Sequence, residues 1–255
     1  MGILNVTPDS FSDGGRWAET QAAVARGRRM FSEGAALVDV GGESTRPGAT
    51  PVDHEEELRR VLPVVRALAP HGRVSIDTRH AETAEAAVAA GATVINDVSA
   101  SLAEVAGALG VGYVAMHMQG EPATMQLAPT YVDVVAEVHG FLGQRADEAR
   151  HLGVTDVWVD PGLGFGKTLD HNLALLAALA DLVAAGTPVL VGASRKGFLG
   201  ALTAGAPVED RLEASLAVAT WACAQGVRMI RAHDVEETVH AVRIANGTAT
   251  TGEAA

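Results

Sequence analysis

The chain has a single cysteine, Cys223, so no disulfide can close within it. That scarcity fits a reducing, cytoplasmic setting. Aromatic residues make up only 4% of the 255 positions, so the hydrophobic 48% rests mainly on Ala, Val and Leu. Such small apolar side chains suit helices packed closely on strands. Basic residues are outnumbered, 19 Lys and Arg against 31 Asp and Glu, and the formal charge is -12. An acidic balance of this size argues against a nucleic-acid partner, yet a few local cations still allow an anionic small molecule. No apolar stretch reaches the roughly 18 residues of a membrane span, and no basic-then-apolar leader opens the chain.

Eight short apolar runs are present, and each ends in polar or charged residues. Gly2-Ile3-Leu4 leads into Asn5, and Ala36-Leu37-Val38 into Asp39. Val74-Ser75-Ile76 ends at Asp77, Thr93-Val94-Ile95 at Asn96-Asp97, and Tyr113 to Met116 at His117. Val157-Trp158-Val159 ends at Asp160, Val189-Leu190-Val191 at Gly192 to Lys196, and Met229-Ile230 at Arg231-Ala232-His233. Continuous apolar runs of this length are the pattern of parallel strands buried on both faces. Eight of them predict an α/β protein, a single-domain (β/α)8 barrel with its active site at the C-terminal strand ends.

Helical stretches alternate with the runs: 20–32, 53–69, 81–90, 102–109, 131–152, 169–184, 209–224 and 235–245. Most stop at or just before a glycine, the expected left-handed cap. Residues 1–247 read as one domain, and the small, polar tail 248–255 reads as disordered. The first run begins at Gly2, so the first strand has no lead-in within this sequence.

Chemistry concentrates after the runs. The segment from Asn5 to Gly15 is long for a strand-to-helix loop. It reads either as a surface turn or as a loop over the mouth that brings Asn5 and Asp9 to the reaction. After Asp39, two glycines permit close backbone approach, and Thr45 with Arg46 suits phosphate oxygens. A surface pair between Glu43 and Arg46 is the plain alternative. Asp77, Asn96 and Asp160 end three strands. One such Asp is more often a helix cap; three groups aimed into one mouth suit a flat heterocycle with adjacent N–H donors. Gly166-Lys167-Thr168 fails the phosphate-loop pattern, because Pro161 stands where its first glycine belongs. Ser194-Arg195-Lys196 and Arg231-x-His233 gather cations after the last two strands, where such barrels commonly bind anions.

Taken together, Gly2 to Gly15, Asp39 to Gly48, Asp160-Pro-Gly-x-Gly-Phe-Gly-Lys167 and Ser194-Arg-Lys196 closely resemble dihydropteroate synthases. The likeness runs from residue 2 to about residue 245. This resemblance implies a TIM barrel of folate biosynthesis, typically a homodimer. It joins 6-hydroxymethyl-7,8-dihydropterin pyrophosphate to p-aminobenzoate and is the target of sulfonamides. Asp77, Asn96, Asp160 and Lys196 would then hold the pterin. Thr45, Arg46, Arg231 and His233 would hold pyrophosphate, and Asn5 would contact Mg²⁺. Phe11, Pro47, Phe165 and Ser194 would border p-aminobenzoate. Asp9, Lys196, Arg231 and His233 would take part in catalysis. Gly197 departs from the family, which often has serine there.

Three other readings share parts of this pattern. A methyltetrahydrofolate-type methyltransferase would need the pterin acids but not Thr45-Arg46 or Arg231-x-His233. A non-catalytic pterin-binding paralogue would not need Asn5, Asp9, Phe11 or Lys196. A Schiff-base aldolase would use Lys196 as its amine. For the homodimer, Leu212, Leu216, Val218, Ala219 and Trp221 carry more apolar surface than one face over a strand needs.

Overall fold

The structure, a computed structural model, describes residues 1–7, 15–44 and 52–247; the proposed tail 248–255 lies outside them. Strands β1 (Gly2–Asn5), β2 (Leu37–Gly41), β3 (Arg73–Asp77), β4 (Val94–Asp97), β5 (Gly112–Met116) and β6 (Val157–Asp160) form one parallel sheet in chain order. A second parallel pair joins β7 (Leu190–Val191) to β8 (Met229–Ile230). Single parallel bridges, Val159 with Val189 and Gly2 with Ala232, link the two sheets at both seams. All eight apolar runs are therefore strands. The seams next to β7 and β8 hold fewer ladder rungs than the rest.

Helices cover the outside: α1 (Gly15–Ser32), α2 (His54–Leu68), α3 (Ala81–Ala89), α4 (Ala103–Leu109), α5 (Val134–His151), α6 (Leu169–Ala177), α7 (Leu179–Ala184), α8 (Gly197–Leu202), α9 (Leu212–Ala224) and α10 (Val235–Ala245). The second of these shows why they form. Asp53 caps α2 by accepting from Glu56 N at 2.8 Å, and three glutamates sit in its first turn at the positive end of the helix. Val61, Val64, Val65 and Leu68 then face the strands at helical spacing. No described helix is long and apolar enough to cross a membrane.

Four helix expectations need correction, and for two only the start moves: the stretch 20–32 begins at Gly15 and the stretch 209–224 at Leu212. The stretch 169–184 is interrupted at Ala178, whose ψ of 11° leaves the helical region, so it folds as α6 and α7. Tyr131 is not helical, because Asp133 caps α5 through the amides of Val135 and Ala136; Tyr131 instead reaches the β6 loop. The short α8 was not anticipated as a helix of its own.

Leu37, Val94, Val114 and Leu190, from β2, β4, β5 and β7, make a core inside the barrel, with Trp158 and Met229 against it. The larger core lies between strands and helices. Because the lumen is filled from below, polar chemistry is confined to the C-terminal ends of the strands.

Candidate active site

The parallel register sets one row of side chains across the mouth. Asn5 pairs with Gly41, Gly41 with Asp77, and Asp77 with Asn96. Gly41 has no side chain, so the row stays open there. A Cβ at Gly41 would lie 3.6 Å from Asp77 Oδ2 and 3.8 Å from Asn5 Oδ1. Gly192 plays the same part after β7, where a Cβ would lie 3.6 Å from Arg231 Cβ and 3.9 Å from Asp160 Oδ2.

Arg231 is the hub. Its Nε donates to Asp39 Oδ2 at 2.6 Å and its Nη2 to Asp77 Oδ2 at 2.7 Å. Asn96 Nδ2 donates to the same Asp39 oxygen at 2.9 Å. Asp39 is fully buried, and its Oδ1 has no partner among the described residues. Asp160, also buried, accepts from Gly162 N at 2.7 Å. Lys196 Nζ donates to Leu163 O and lies 4.4 Å from the Phe165 ring centroid.

Three carboxylates and two cations share this mouth, so with every group ionised it carries an excess negative charge. Burial raises Asp77 to about 7, against the pull of Arg231 and with help from the neighbouring Asp39. Burial also raises Asp160. It lowers Lys196 to about 8, with Asp160 opposing. Burial lowers the Arg231 guanidinium too, but Asp39 and Asp77 more than reverse this, so Arg231 stays charged. Asp77 and Asp160 are thus both pushed toward taking up a proton, which relieves the excess.

Of the residues singled out by sequence, Asn5, Asp77, Asn96, Asp160, Phe165, Ser194, Lys196, Arg231 and His233 come from strand ends and the loops after them. Ser194 Oγ lies 3.0 Å from His233 Nδ1, tying the loops after β7 and β8. Asp9, Phe11, Thr45, Arg46 and Pro47 lie outside the described residues. Glu43 carries Arg79, at 3.1 Å and 3.2 Å. Arg195 is bound through two nitrogens to Asp234, so it adds no free cation to the mouth. Asp39 was missed. The signal was present: a carboxylate inside a run that continues apolar to Val40 must face a partner within the barrel.

Residues 1–233 match the family of pterin binding enzymes. The chain is 47% identical to dihydropteroate synthase of Escherichia coli strain K12, over 97% of this chain and 90% of that one. It is 48% identical to that of Mycobacterium leprae, over 96% and 91%. Among solved structures, Xanthomonas albilineans dihydropteroate synthase with 4-aminobenzoic acid superposes with a TM-score of 0.91 at 46% identity, covering 99% of this chain and 93% of that one. The Yersinia pestis dihydropteroate synthase in a sulfonamide complex gives 0.90 at 44% identity, covering 97% and 93%.

The buried Asp77 predicts a pH signature. Its folded value of about 7 lies above the ordinary 3.8, so between them the folded state binds the proton and the unfolded state does not. Stability from this group is complete at low pH and is lost as pH rises through about 7. The unfolding free energy of the wild type minus that of Asp77→Asn should fall across this window, measured by denaturant titration at several pH values. A difference that stays flat or rises contradicts the assignment.

Proposed function

We propose how this mouth works from the premise that the chain belongs to the pterin-binding enzyme family, among the dihydropteroate synthases. The reaction joins 6-hydroxymethyl-7,8-dihydropterin pyrophosphate to p-aminobenzoate and releases pyrophosphate. The observation that carries the site reading is the convergence of Asp77, Asn96, Asp160, Lys196 and Arg231 in one mouth.

In this reading the pterin lies among Asp77, Asn96, Asp160 and Lys196. A carboxylate accepts from two adjacent N–H groups of such a ring, and Asp160 keeps one oxygen clear of the Gly162 amide. Arg231 and His233, with Thr45 and Arg46, receive the pyrophosphate. Phe165 and Ser194, with Phe11 and Pro47, border p-aminobenzoate. The methylene–oxygen bond breaks and its electron pair leaves with pyrophosphate, through a cation-like transition state. Arg231 and His233 stabilise the charge gathering on the leaving group. Asp9 stabilises the methylene cation. The arylamine nitrogen attacks that cation without prior deprotonation, forms the new bond to the methylene carbon and gives up its proton to water or the departing pyrophosphate, so no strong base is required.

Asn5 fits the role of Mg²⁺ ligand. Its amide has no hydrogen-bond partner among the described residues, and its Oδ1 stands in the row beside Gly41 and Asp77. A hard oxygen with no competing bond among the described residues suits an ion that would take its other ligands from phosphate and water. When bound there, Mg²⁺ neutralises charge on the pyrophosphate. A homodimer completes the proposal: Trp221 on α9 is 48% exposed, although its Nε1 donates to Leu176 O at 3.0 Å.

Purified protein should release pyrophosphate from the pterin substrate only when p-aminobenzoate is present. Asp160→Asn should bind pterin more weakly by about 2–4 kcal/mol, because an amide offers one wrong group to the ring. Unchanged affinity by calorimetry would remove Asp160 from the pterin site. For the dimer, sedimentation at micromolar concentration should give twice the 26.2 kDa chain mass; a single 26.2 kDa species removes that part alone.

A further inference from the structure

The turn after β6 is stapled by side chains along its length. Gly162 N donates to Asp160 Oδ1 at 2.7 Å, and Gly164 N to Asn172 Oδ1 at 2.6 Å. Every carbonyl from Gly162 to Gly166 has a donor. Lys196 Nζ serves Leu163 O, Gln126 Nε2 serves Gly164 O at 2.6 Å, and Tyr131 Oη serves Gly166 O at 2.8 Å. Lys167 Nζ serves the remaining two, Gly162 O and Phe165 O, both at 3.0 Å.

Lys167 is 3% exposed and folds back inside the turn that its own backbone closes. There it also meets His117 at the end of β5, at 2.9 Å to Nδ1 and 3.3 Å to the carbonyl. Two glycines allow this approach. Gly162 and Gly166 have φ of 63° and 60°. A Cβ at Gly162 would fall 1.9 Å from His117 O, and one at Gly166 2.3 Å from Gln119 O.

The bonding dictates the protonation. While Lys167 is an ammonium it only donates, so His117 Nδ1 accepts and the ring proton sits on Nε2. Burial and the adjacent Lys167 push His117 down to about 3, so the ring is neutral. Burial, then the nearby Lys196, lowers Lys167 to about 7.

This turn delivers two things to the mouth: Leu163 O, which accepts from Lys196, and the Phe165 ring beneath the Lys196 ammonium. Lys167 grips the carbonyls on either side of Leu163-Gly164. We propose that Lys167 is a positioning residue, an internal cation that sets the Phe165 ring, stacked under Lys196, against p-aminobenzoate, with neutral His117 as a further acceptor. The proposal rests on the reading that Phe165 borders that substrate.

A staple with no effect on the site would lower stability and yield, and the folded fraction would keep its ordinary KM. The test is steady-state kinetics on Lys167→Met, Phe165→Ala and the double variant, alongside thermal unfolding. Lys167→Met should raise the KM for p-aminobenzoate about tenfold or more, because misplaced groups lose their orienting effect. The double variant should be no worse than the more affected single one, since both changes act through the same ring. An ordinary KM in folded Lys167→Met, or effects that multiply, overturns the proposal. An ordinary KM in Phe165→Ala instead removes the reading on which it rests. Should Lys167→Met fail to fold, nitrogen NMR of the wild type decides. His117 should be neutral with a bare Nδ1 at about pH 5 to 6, below the Lys167 value of about 7 and where an unperturbed histidine is largely charged. A charged His117 ring, or a protonated Nδ1, in that range overturns the clamp.

Discussion

A guanidinium held between two carboxylates in the throat of the barrel is the interaction on which the rest of the mouth depends. Arg231 enters from the end of β8, Asp39 from the middle of β2 and Asp77 from the end of β3. Three separate strands therefore fix one charge cluster, and the filled lumen beneath excludes the water that would screen it. Asn96 adds a hydrogen bond from β4 to the same Asp39 oxygen. The cluster knits the short β7–β8 pair to the longer sheet where backbone bridges are sparse. It also keeps a permanent cation at the C-terminal ends of the strands.

Shape and charge meet at two glycines. Gly41 and Gly192 leave the floor clear between Asn5 and Asp77 and between Asp160 and Arg231. Larger residues there would fill that floor. One wall of this floor is the turn after β6, whose carbonyls are all taken by side chains. A loop held that way keeps an ammonium and an aromatic ring in place without a ligand to order them. Burial works in the same direction on the titrating groups, raising Asp77 and Asp160 and lowering Lys196 and Lys167. Opposing shifts of this kind keep the mouth close to neutral before an anionic substrate arrives.

Much of this was legible in the sequence. Strand identity followed from apolar runs too short for helices, and strand ends followed from the polar residue closing each run. The polar residues at run ends, Asp77, Asn96, Asp160 and Arg231, do lie at strand ends around one mouth. Asp39 escaped because the run looked finished at Val38, whereas the strand continues to Gly41 and keeps that carboxylate inside. Arg195 looked like a third cation for the mouth. Its backbone adopts φ 59°, and its guanidinium turns to Asp234. Lys167 was visible only as the end of a failed phosphate-loop pattern. Its partners are backbone carbonyls and a histidine 50 positions away, which no local pattern announces.

Equilibrium unfolding of Arg231→Met, Asp39→Asn and the two combined tests the central cluster most directly. Removing the guanidinium alone leaves buried carboxylates without a counter-ion, a loss of about 3–5 kcal/mol. Neutralising Asp39 in the same chain should recover a large part of that loss, because the remaining carboxylate can take up a proton. A single Arg231→Met variant as stable as the wild type, or a double variant whose losses simply add, would contradict a shared, buried charge cluster at the strand ends.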